Sequence, residues 1–186
     1  MLSFGKIKSR ILIQTNLTMS RYILLMLAVI SFTAPKVNGQ DEKFKALFMY
    51  NFTKYLEWPA NKRTGDFVIG VYGNSPIISE LNIIAQKRKV GNQNIVVKKI
   101  DSSTDFAKCN ILFIPEYKSG KIAEIAGQCK AGTALITDKP GLAKSVAGIN
   151  YVKVDGKQNF EINKKNLEAQ GIKVNSALLN LGINVQ

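Results

Sequence analysis

The chain has 186 residues, is 46% hydrophobic, carries a formal net charge of +13 and contains no histidine. The missing histidine excludes Ser-His and Cys-His nucleophile pairs, histidine-ligated zinc and histidine general bases. No G-x-S-x-G, Walker-type loop or C-x-x-C adds a catalytic motif, so the composition points away from an enzyme and calls for no cofactor and no metal.

Residues 1–39 differ from the rest of the chain. They hold Lys6, Lys8, Arg10, Arg21 and Lys36, no acidic residue, and an uncharged run YILLMLAVISF from Tyr22 to Phe32. A basic stretch, a short apolar run and a small-residue exit form the pattern of a secretory signal peptide. Val37 and Gly39 suit a cut after Gly39, and Met19 offers a second start. The apolar run is about half the ~20 residues a spanning helix needs; an uncleaved membrane anchor is the alternative. Residues 40–186 then form one domain with a net charge of +8. Its lysines are scattered. Lys87-Arg88-Lys89 is the densest cluster and falls at a predicted helix end, where cations favour the macrodipole. Nucleic acid is not an expected partner.

The predicted elements run in chain order from there. Asp41 to Glu57 has apolar spacing at i, i+3, i+4 and i+7 and reads as a helix stopped by Pro59. FVIGVYG, 67–73, is a strand. Ser75 and Pro76 then open a helix, as cap and first-turn residue, that ends in KRK. Strand NIVVKKI, 94–100, leads to a short capped turn at DSSTDFAKC. Strand NILFIPE, 110–116, a helix over 118–129 and strand TALITD, 133–138, come next. GINYVKV and NFEIN flank Asp155-Gly156, a hairpin turn signal. A short helix at 164–169, Gly171 and a last helix around 174–181 close the chain. The alternation predicts a single three-layer α/β domain. It has a mostly parallel central sheet of about six strands, helices on both faces, and a C-terminal hairpin plus helix.

In such a sheet the segments after parallel strands gather along one edge, where open α/β folds bind ligands. Asn74, Ser75, Glu116, Tyr117, Asp138 and Lys139 are the candidate ligand edge; the bland alternative is that Ser75 only caps and Asp138 only turns the chain. Cys109 opens a strand and Cys129 ends the next helix, so both lie at one end of that unit. Bonded cysteines need Cα atoms within about 4.4–6.8 Å, which chain ends bending inward permit. A disulfide closing a loop of about 20 residues and two buried thiols are both open. FKALFMYNFTKYLEWP, 44–59, holds six aromatic residues. Phe44, Phe48, Phe52 and Tyr55 fit a core-facing stripe, but Tyr50 falls off it and Trp58 past the helix end; Tyr50, Tyr55 and Trp58 form a candidate partner or dimer surface.

The ordered segments KALFMYNFTKYLEWP, CNILFIPE, TALITDKPGLAKSVAGINYV, NFEIN and VNSALLNLG resemble the YfiR-like periplasmic family over roughly residues 43–182. Asn110 stands where many members have histidine. The resemblance implies a non-catalytic periplasmic regulator. Its partner would be an inner-membrane diguanylate cyclase, tuning cyclic-di-GMP, or a sensor histidine kinase. Family dimers and disulfides are likewise implied. A periplasmic module for small ligands or cell-wall fragments, using the strand edge, is the alternative function.

Overall fold

The computed structural model describes residues 38–129 and 131–186. The predicted signal segment and the alternative start at Met19 lie outside them, apart from Asn38 and Gly39, which begin the first helix.

Helix α1 (Asn38–Phe52) is shorter at its C-terminus than the sequence spacing suggests. The N–H groups of Thr53, Lys54 and Tyr55 bond to carbonyls three residues back, and the Thr53 hydroxyl donates to the Tyr50 carbonyl at 2.6 Å. That tightened turn ends the helix before Pro59 is reached. The chain then forms β1 (Leu56–Glu57), β2 (Phe67–Tyr72), α2 (Ile77–Ala85), β3 (Lys89–Val90) and β4 (Gln93–Ile100). A 3-10 turn over Ser103–Lys108 leads into β5 (Ile111–Ile114). A second 3-10 turn over Glu116–Lys121 runs into α3 (Ile122–Gln128). β6 (Ala134–Thr137), β7 (Ile149–Val154), β8 (Lys157–Ile162), α4 (Lys164–Ala169), β9 (Lys173–Val174), α5 (Ser176–Leu179) and β10 (Ile183–Asn184) complete the domain.

Eight strands form the main sheet in the order β10-β8-β7-β6-β5-β2-β4-β3. β4, β2, β5, β6 and β7 are parallel; β8 returns antiparallel to β7, and β10 lies parallel to β8. The hairpin has a two-residue loop, and Asp155 and Gly156 both have positive φ (49° and 74°), as a primed turn requires. β1 and β9 pair separately, antiparallel, with Leu56 opposite Val174. The sequence does not announce β1, β3, β9 or β10, because each is only two residues long.

Side-chain alternation splits the interior into two cores. Phe67, Ile69 and Val71 of β2, with Ile111, Phe113 and Ile136, face Met49 and Phe52 of α1 and Ile77 and Leu81 of α2. Leu112, Ile114 and Leu135 face the other way, onto Phe106 of the first 3-10 turn and Ile122 and Ile125 of α3. Both faces of the central strands are therefore dry, which explains their continuous apolar runs.

The aromatic segment is mainly core. Phe48 and Phe52 contact Phe160, and Phe52 stacks with Tyr151, so α1 is clamped to the β7–β8 hairpin. Trp58 corrects the sequence expectation of a surface ring: it is 4% exposed. Its indole meets Phe67 edge-on at 4.9 Å, and its Nε1 donates to the Asn110 carbonyl at 3.1 Å. The turn that ends α1 early carries Trp58 back over the start of β2, out of water. Tyr50 and Tyr55 stay half-buried.

Candidate functional site

Successive strands are added in opposite directions on either side of the β2–β5 pair, β4 beyond β2 and β6 beyond β5. β2 feeds α2 on the first face, and β5 feeds α3 on the second. Ligand crevices of open α/β sheets form at such a reversal. All six predicted edge residues lie along the carboxyl edge, but they fall into two different settings.

The β5–β6 half is closed by a polar hub. Lys45, from α1, places its Nζ 2.7 Å from Asp138 Oδ2 and 3.0 Å from Glu42 Oε1. The other oxygen of Asp138 accepts the Glu116 N–H at 2.7 Å, and the buried Tyr151 hydroxyl donates to the Lys45 carbonyl at 2.6 Å. Burial opposes the charge on Lys45, but the bonds to Asp138 and Glu42 outweigh it and hold the ammonium pKa above its ordinary value. Burial, reinforced by Asp138 and Glu42, pushes the Tyr151 phenol well up. Asp138 thus ties α1 to the segment after β5. Lys139 lies exposed beside it, with its N–H on Thr137 Oγ1 at 3.3 Å.

The β2–β4 half is open. A cleft of about 610 Å³ runs from the end of β2 past the Ser103–Lys108 turn to α3, with Tyr72, Phe106, Tyr117, Lys118 and Lys121 among its walls. Gly73 shapes it. Its φ is +81°, and a Cβ there would lie 2.7 Å from the Tyr117 hydroxyl and 3.0 Å from Lys118 Cε. Only glycine lets both side chains cross the strand end so closely. The Tyr117 hydroxyl donates to the Asn74 carbonyl at 2.6 Å, which fixes a ring that is 60% exposed. Lys118 Nζ lies 5.3 Å from the Tyr72 ring centre and 5.8 Å from that of Tyr117. Ser75 accepts from the Ile77 N–H at only 3.5 Å, and the residue at the N-cap of α2 is Pro76; the expected serine cap is a weak one.

The cysteines belong to the second core. Cys109 Sγ rests against Gly70, where a Cβ would collide with it, and donates to the Asp105 carbonyl at 3.4 Å. Cys129 ends α3 half-buried, and both are free thiols in this structure. Burial pushes each thiol up to about 11; Cys109 adds to the rise at Cys129, while Lys62 opposes it at both. Lys62 is anchored on the carbonyls of Ala107 and Cys109, 2.8 Å from each. Nearby, Asn110 accepts the Val68 N–H at 2.9 Å and donates to the Lys62 carbonyl at 2.9 Å. At this position the side chain stitches β5 to β2 and to the loop before it.

No hydroxyl or thiol among the described residues bonds to a side-chain base, and no group of three metal-ligating side chains occurs among them. No helix among the described residues is long and apolar enough to cross a membrane. Sequence reasoning missed Lys45, Tyr72 and Lys118. Lys45 is legible only as part of an amphipathic helix, and Lys118 comes after the strand as one lysine among many.

A family model described as YfiR/HmsC-like matches residues 42–183, from the first turns of α1 to the start of β10. No curated protein matches the chain.

Proposed function

Because the chain belongs to the YfiR/HmsC-like family, we propose that it is a periplasmic, non-enzymatic regulator. It binds the extracytoplasmic part of an inner-membrane signalling protein, a diguanylate cyclase or a sensor histidine kinase. The observation that carries this reading is the extent of the match, which takes in both cores and nearly every strand of the sheet. The regulator acts by binding one state of its partner better than the other, since only differential affinity shifts an equilibrium. A secretory leader in residues 1–39 delivers it to the periplasm. Tyr50 of α1 and Tyr55 of the turn that follows it, both half-buried, are the candidate contacts with the partner or with a second copy. In that oxidising compartment Cys109 and Cys129 join, which a free-thiol count before and after reduction checks.

The test is genetic and direct. Removing the gene changes cellular cyclic-di-GMP or the phosphorylation output of a kinase; both outputs unchanged would sink the reading. A second function, capture of a small periplasmic ligand, is favoured by the open cleft beside Tyr117.

A further inference from the structure

The geometry points to the cleft between the end of β2 and α3 as a binding site for a small organic anion, its acidic group on Lys118 and its body against the Tyr72 and Tyr117 rings. This goes beyond the regulator reading and does not depend on the identity of any membrane partner.

Three observations converge on it. The first is size and place: about 610 Å³, at the carboxyl edge where the strand order reverses, is within the usual volume of small-molecule sites. The second is charge. Lys121 has Glu124 at 3.9 Å, and Asp101 is matched by Lys99 at 3.2 Å. Lys118 has no carboxylate within ion-pair distance among the described residues. Once the paired charges cancel, one ammonium is left on the cleft wall. The third is preorganisation. Lys118 lies in a turn closed by its own N–H on the Pro115 carbonyl at 2.8 Å, and its stem passes over a position that only glycine can fill. The tether from Tyr117 to Asn74 holds the neighbouring ring face outward. Rings that a cation already occupies make an apolar wall beside it, so an anion bound there can meet the charge and a flat surface together. A ring already held in place loses little freedom on binding, which favours affinity.

Carboxylate and phosphate share this chemistry, and the probes separate them. Benzoate, phenyl phosphate, inorganic phosphate and neutral benzamide are titrated into the purified protein, with amide shifts of Tyr72, Phe106, Tyr117 and Lys118 as the readout. Benzoate or phenyl phosphate binds and moves those signals, and the tighter of the two identifies the acid group. Inorganic phosphate, lacking a ring, binds more weakly than phenyl phosphate. Lys118→Ala weakens binding at least about tenfold, whereas Lys118→Arg stays within about threefold of the original. Lys118 is exposed, so both variants keep the fold. The proposal is overturned if neither ring anion binds below ~10 mM, if Lys118→Ala binds as well as the original, or if benzamide binds equally.

Discussion

The two halves of the carboxyl edge have the same origin and opposite fates. Each is made of segments leaving parallel strands, and a lysine reaches each, Lys45 from α1 and Lys118 from the segment after β5. At the β5–β6 half, Lys45 meets two carboxylates and Asp138 also takes a backbone N–H, so the edge is locked to α1. At the β2–β4 half, Lys118 meets ring faces and the edge stays open. Position at a strand end therefore does not decide whether a group is structural or available. What decides it is whether a helix on the adjacent face delivers a partner.

Asp138→Ala breaks this comparison most severely. It removes the shorter of the two carboxylate contacts of a largely buried ammonium, leaving only Glu42, and frees the Glu116 N–H, and should cost about 2–3 kcal/mol of stability in urea denaturation. A loss as small as that of a surface lysine would show that the hub is not structural. Gly73→Ala comes next. Its Cβ meets the Tyr117 hydroxyl at a positive φ, so about 1–2 kcal/mol is lost and the Tyr117 tether opens. Unchanged stability together with unchanged Tyr117 signals would show that glycine does not shape the cleft.

A smaller effect appears with pH. The raised pKa of Lys45 means that the hub's contribution is complete below the ordinary lysine value and is lost as pH rises through the folded value. In the reduced protein the thiols act in the same sense: their folded values, about 11, lie above the ordinary one, so the unfolded chain sheds protons first and stability falls as pH climbs towards 11. In reduced protein, alkylation of Cys109 should accordingly keep accelerating up to about pH 11; a plateau near pH 9 would contradict the burial of that thiol. Lys118→Ala is the smallest, within about 0.5 kcal/mol, and a larger loss would make Lys118 structural after all.

Much of this architecture is legible in the sequence. Continuous apolar runs mark β2, β4, β5 and β6, and Asp155-Gly156 marks the hairpin, because these signals are local. Trp58 and the β1–β9 pair are not local. The fate of Trp58 depends on how a tightened turn redirects the chain onto β2, and β1 exists only because β9 arrives opposite it from over a hundred residues away. The candidate edge is legible as a place but not as a division: Asp138 reads as a turn residue until α1 is seen to deliver Lys45 to it.

The most direct test of the regulator reading is crosslinking of the tagged protein to native membranes, with captured proteins identified by mass spectrometry. A regulator of this kind recovers a diguanylate cyclase or a sensor histidine kinase, contacted through its extracytoplasmic part. Recovery of no membrane signalling protein, with a control interaction intact, would contradict it.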